Sequence, residues 1–225
     1  MSKLVRATAW ILALLASLVW APPAGVAADG GAAAGAGASA DAGTDAANPQ
    51  AASGQEESAQ EEPALEESTQ EESMREAHRR LSVECFNECW TYIDKAQRTP
   101  AETETMLLLA CASLWHWTQR DDAGPLNLSI GTWQVSRAHA LAGDATAARL
   151  FAERCLEVSV RAELPPFYLG YAHEALARSA LVAGEEAAAR EQLGSAREAL
   201  SAVTDEESRA MLAADLTNLE GLLPK

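Results

Sequence analysis

From residue 74 to the C-terminus, apolar residues recur every three or four positions and strand-like alternation is hardly seen, so the pattern predicts helices throughout. A first helix is expected over residues 73–96, with Val83, Phe86, Trp90 and Ile93 on one stripe. Thr99 as N-cap, Pro100 at the first helical position and Glu102 three residues after the cap mark the next start. The second helix, 101–119, contains MLLLACASLWHW, which is apolar nearly all round and is therefore expected to be the most buried element. DDAGP at 121–125 breaks it. A third helix is expected over 129–142, followed by a turn at Gly143, a cap at Asp144 and a fourth helix to about residue 162, which Leu164, Pro165 and Pro166 end. The fifth spans 167–183 and Gly184 turns the chain into the sixth, 185–202. On the sixth, Ala189, Leu193, Ala196, Leu200 and Val203 keep the spacing of a packed seam. A seventh, 205–222, closes the end as a cap.

One stretch occurs twice. SRAHALAGDATAARLFAERCLEV (136–158) lies over ARSALVAGEEAAAREQLGSAREA (177–199), 41 residues on, with Arg137/Arg178, Gly143/Gly184, Ala148/Ala189 and Glu157/Glu198 among the identities. A period in this range marks stacked units, each with an apolar face that only a neighbour can cover. The turns at Thr99, Gly143 and Gly184 lie 44 and 41 residues apart. The fold expected is all-α, three antiparallel helix pairs plus a C-terminal capping helix.

The pairs resemble tetratricopeptide repeats. The likeness is carried by a small residue in the first helix of each pair (Ser136, Ala177), the turn glycine, and Ala148/Ala189, Ala152/Leu193 and Cys155/Ala196 on the second helix. The period exceeds the usual 34 and the aromatic signature of the first helix is incomplete. The chain also resembles a group of small bacterial helical proteins that carry no assigned activity. That resemblance runs through Phe86, Asn87, Trp90, Asp94, Arg98, Thr99, His116, Trp117, Asn127, Trp133, Gln134, Ser136, Arg137, Arg154, Cys155, Tyr171, Glu174 and Arg178. It implies the fold and no known reaction.

The N-terminus adds an address. Lys3 and Arg6 precede an uncharged run over 7–19 and then the small residues Gly25, Ala27 and Ala28, the order of a secretory signal over 1–28 cleaved after Ala27 or Ala28. The run is shorter than the roughly 20 residues of a membrane span. An uncleaved anchor is the alternative. The mature protein is expected in the periplasm or outside the cell. Residues 29–73 hold an Ala/Gly stretch and then a loose QEES pattern, with 11 acidic residues and no Lys or Arg, and read as a disordered spacer. The helical-repeat domain is 74–225. The whole chain carries a formal charge of −16 with no basic stripe, which argues against nucleic acid and anionic membrane as partners.

The chemistry expected is thin. Reflecting the first helix pair about Thr99 brings Cys111 opposite position 87, so a disulfide from Cys111 to Cys85 or Cys89 fits the spacing; the alternative is four buried thiols. Cys85, Cys89, Cys111 and His116 have the donor types of a zinc site, but His116 is turned away from the Cys111 face, and no metal or other cofactor is expected. No phosphate loop, HExxH, GxSxG or paired-carboxylate motif is present, and His78, His116, His139 and His173 lie on separate segments, so no catalytic residue is expected. A protein or peptide partner is expected on the face that brings together Asn87, Trp90, Asp94, Trp133, Gln134, Arg137, Tyr171, Glu174 and Arg178. The same residues serve equally as internal struts between pairs. Two other readings stand beside this one: a small-ligand or metal binder with a pocket around His116, Trp115, Trp117 and Trp133, and an enzyme of unknown class.

Overall fold

Seven helices and no strand occur among the described residues of the computed structural model, 58–224, with side chains described from Gln70 onward. They are α1 (Ser58–Ile93), α2 (Pro100–Thr118), α3 (Pro125–Leu141), α4 (Ala145–Arg161), α5 (Pro166–Ala183), α6 (Glu186–Ser201) and α7 (Glu206–Glu220). The expected signal segment and the expected spacer up to residue 57 lie outside the described residues. Helix α1 begins at Ser58, earlier than the expected 73. Glu, Gln and Ala are good helix formers, and a segment too polar to build a core can still extend a helix that the core nucleates.

The helix starts follow local chemistry. Thr99 Oγ1 accepts from the Glu102 N–H at 3.2 Å while Glu102 Oε2 accepts from the Thr99 N–H at 2.8 Å, the reciprocal cap expected there. Helix α3 starts four residues before the expected position because Pro125 takes the first helical place and the Asn127 side chain accepts from the Gly124 N–H at 3.0 Å. Asp144 and Asp205 cap α4 and α7 by accepting from the N–H of Ala147 and Ser208. Gly143 and Gly184 carry φ of +82° and +74°, so both turns need the left-handed conformation that glycine adopts freely.

Side-chain bonds set the direction of each neighbouring pair. Ser113 Oγ donates to the Ser82 carbonyl at 2.8 Å and Cys89 Sγ to the Met106 carbonyl at 3.4 Å, so α1 and α2 run antiparallel. Ser136 Oγ donates to the Ala148 carbonyl and Ser129 Oγ meets Ser159 Oγ, both at 2.8 Å, which orients α4 against α3 in the same way. His173 and Gln192 join α5 to α6 at 2.9 Å. Helix α2 packs on α3, α4 on α5, α3 on α5, and α7 on both α5 and α6.

The residues aligned by the 41-residue offset share an environment: Ala148 and Ala189, Ala152 and Leu193, and Cys155 and Ala196 are all buried. The most buried element is α3, not α2. Every residue from 129 to 136 is buried, whereas Leu108 and Trp115 on α2 are 65% and 54% exposed. Helix α2 is covered mainly by α1 and α3, while α3 has α1, α2, α4 and α5 around it. Met106, Ala110, Leu114 and Trp117 are the apolar residues of the run that enter the core, and the Arg120 guanidinium stands 3.9 Å above the Trp117 ring.

Candidate functional site

The first helices of successive pairs are joined by an aromatic ladder. Trp90 on α1 stands 5.9 Å from Trp133 on α3, and Trp133 stands 5.4 Å, edge to face, from Tyr171 on α5. Phe86 and Phe167 extend the ladder one turn along their own helices. The Tyr171 hydroxyl donates to Asp215 Oδ2 on α7 at 3.0 Å, which carries the connection to the last helix. Edge-to-face rings at such distances add to area burial and fix the helix spacing.

Charges sit inside this ladder. Glu174 is fully buried; its Oε2 accepts from the Trp133 indole N–H at 3.0 Å and its Oε1 from Arg178 Nε at 3.1 Å, with Arg178 Nη2 on the same oxygen. Arg137 Nη1 lies 3.8 Å from Glu174 Oε1, and its guanidinium faces the rings of Trp133 and Trp90 at 5.4 Å and 5.7 Å. Burial pushes the Glu174 carboxyl up, but the positive charges of Arg178 and Arg137 and the bonds from Arg178 and Trp133 outweigh it and hold the pKa below the ordinary value. Burial, and then the like charge of Arg178, lowers Arg137. Tyr171 is raised well above its ordinary value by burial and by the carboxylates of Asp215 and Glu174, so its hydroxyl stays a donor. Carboxylate, guanidinium and indole thus hold one another in a fixed arrangement with no water-exposed nucleophile.

The structure brings Trp90, Trp133, Arg137, Tyr171, Glu174 and Arg178 together in one cluster, as their spacing on the first helix of each pair implies. Most face inward: Trp90, Trp133, Tyr171 and Glu174 are 4%, 1%, 2% and 0% exposed. Gln134 donates from Nε2 to the Phe86 carbonyl at 3.0 Å and ties α3 to α1. Arg137 and Arg178 keep 15% of their side-chain surface. Asn87 is half-buried, with Oδ1 enclosed and unbonded. Arg137 Nε and Nη1 are likewise enclosed without a hydrogen-bond acceptor.

The four cysteines are free thiols. Cys85, Cys89 and Cys111 come close enough that the charges of the other two raise the Cys89 thiol further, which burial has already pushed up, to about 12. Cys155 is pushed up to about 11, by burial, and donates to the Ser129 carbonyl at 3.3 Å. His116 does not join the cysteines. Its Nδ1 meets His78 Nδ1 at 2.8 Å, a contact missed when the four histidines are read as separate. The reflection about Thr99 that places Cys111 opposite 87 places His116 opposite 82, one turn from His78, and was the available signal. Trp115 points outward, Trp117 into the first pair and Trp133 into the ladder, so these three indoles serve different surroundings. Among the described residues no group of three His, Cys, Asp or Glu side chains gathers around a common point, and no helix is long and apolar enough to cross a membrane.

Comparison with family models, curated proteins and solved structures finds no match to this chain.

Proposed function

We propose that the protein is an exported interaction module without catalytic activity, a tetratricopeptide-like stack of three antiparallel helix pairs closed by α7. It holds a peptide or protein segment of the cell envelope or exterior against the face where α1, α3 and α5 adjoin. The observation that supports this reading is Arg137, whose Nε and Nη1 are enclosed without an acceptor while part of the side chain stays exposed. An unsatisfied buried donor costs free energy, and a backbone carbonyl or carboxylate of a segment bound at the exposed part of Arg137 relieves that cost. Arginine is also among the side chains that dominate binding energy at protein surfaces. The acidic balance and the lack of a basic stripe speak against nucleic acid.

The test starts from capture by the full chain in an envelope extract. The captured segment is then remade as a peptide and titrated against the wild-type protein, Arg137→Met and Arg178→Met. At least tenfold weaker binding by Arg137→Met at a nearly unchanged melting temperature supports the reading. Unchanged binding with a lowered melting temperature makes both arginines internal struts and removes it.

A further inference from the structure

His78 of α1 and His116 of α2 bring their Nδ1 atoms to 2.8 Å with ring centroids 5.0 Å apart, at a half-buried position on the first helix pair. Two neutral imidazoles make this contact only if one nitrogen donates and the other offers its lone pair. Neutral imidazole is also the form that binds metals. Two such nitrogens on one tetrahedral metal, at roughly 2.0–2.1 Å each, stand about 3.3 Å apart. Small rotations of two half-buried side chains open the present contact to that distance.

Two further side chains point to the class of ion. Trp115, 54% exposed, presents its ring to both imidazoles, with centroids 5.2 Å from His78 and 4.8 Å from His116. An indole face attracts a bare cation more strongly than any other side-chain ring does. Met74, 57% exposed, lies one helical turn before His78 on the same face of α1. Thioether with imidazole is a soft donor set, which selects Cu(I). Zinc takes three or four His, Cys or carboxylate ligands, and no such group gathers among the described residues.

We infer that His78 and His116, completed by the Met74 thioether and covered by Trp115, form a binding site for a soft monovalent cation of the Cu(I) and Ag(I) class. The site is separate from the Glu174 cluster and does not depend on the interaction reading.

Ag(I) alone is the redox-inert probe. Because accessible thiols also take soft metals, the full chain is used as a Cys85→Ser/Cys111→Ser variant, which leaves only the buried Cys89 and Cys155. The chain has four histidines, so imidazole nitrogen resonances report each one separately. One equivalent of Ag(I) is expected to shift His78 and His116, leave His139 and His173 in place and change tryptophan emission. His78→Phe, which keeps a ring against Trp115, is expected to weaken Ag(I) at least tenfold, and Met74→Leu by a smaller factor. If circular dichroism shows His78→Phe to be unfolded, His78→Gln replaces it. Binding that leaves the two imidazole signals unmoved, or equal affinity in the His78→Phe/His116→Phe variant, overturns the site. Zn(II) bound as tightly as Ag(I) overturns the choice of ion.

Discussion

Trp133 and Glu174 stand one repeat apart, 41 residues, and meet inside the protein through a 3.0 Å hydrogen bond from indole to carboxylate. Aligned positions in successive units are thus direct neighbours, and a side chain chosen for one unit meets its partner in the next. Glu174 also separates Arg137 from Arg178. Replacing it by Gln keeps the shape and removes the charge, leaving two guanidiniums facing each other in a poorly solvated place. Breaking a buried pair from one side costs about 3–5 kcal/mol. Glu174→Gln is expected to lower the urea midpoint accordingly; a loss below about 1 kcal/mol would show that the cluster contributes little beyond packing.

The same carboxylate predicts a pH dependence. Its native pKa lies below the ordinary 4.5 because the arginine charges outweigh the effect of burial. A carboxylate depressed in the native state contributes stability that is complete above the unfolded-state value and fades as pH falls from there through the native value. Wild-type stability is therefore expected to fall below pH 4.5 more steeply than that of Glu174→Gln. Exposed carboxylates titrate alike in both proteins and cancel in the difference. Parallel curves from urea melts over this acid range would remove Glu174 as a contributor.

Helix α4 ends at Arg161, and Glu163, just past its C-cap Ala162, takes φ 49°, the left-handed conformation that Gly143 and Gly184 provide at the other turns. The Leu164 N–H bonds back to the Ser159 carbonyl at 2.9 Å, as the Asp144 N–H does to His139 and the Glu185 N–H to Ala180. A side chain in the left-handed region costs about 1–2 kcal/mol. Glu163→Gly is expected to stabilise the protein by about 1 kcal/mol and Gly184→Ala to destabilise it by a similar amount. Denaturant titration of the two variants checks both signs.

Helix positions and turns were legible because they rest on local chemistry: the three-four periodicity, the Thr99–Glu102 cap, and glycines where φ must be positive. The inward placement of Trp90 and Trp133 was not, since an indole at helical spacing reads the same whether a neighbouring helix or solvent lies over it. That choice depends on how closely α1, α3 and α5 approach, a property of several helices at once. Burial of α2 was misjudged for a related reason. Apolar composition ranks a helix by what it offers, while burial depends on how many neighbours reach it, and α3 has more of them. The His78–His116 contact depended on register across a hairpin, which a one-turn error conceals.

Thiol chemistry offers a direct check on the first pair. With four free thiols, counting under denaturing, non-reducing conditions is expected to give four, whereas two would reveal a bridge from Cys111 to Cys85 or Cys89. In the native state Cys111, the exposed one, is expected to react first with iodoacetamide. Cys89 and Cys155 are buried and held near 12 and 11, so they should react only as the protein unfolds. Rapid native labelling at Cys155 would mean that α3 and α4 separate readily.

The junction of α5 and α7 rests on the absence of one methyl group. A Cβ placed on Gly170 would stand 2.4 Å from Leu212 Cδ2 and 3.7 Å from the Ala199 Cβ. Leu212 is fully buried and cannot swing into solvent. Gly170→Ala is therefore expected to cost about 1–3 kcal/mol by overpacking, and Leu212→Ala about 2–5 kcal/mol by leaving a cavity. The added methyl fills part of the space that the shortened side chain vacates, so the double variant should be at least about 1 kcal/mol more stable than the two losses combined. Strict additivity in a double-mutant cycle would mean that α7 does not sit against Gly170 in solution, and the last helix would then not close the α5–α6 pair.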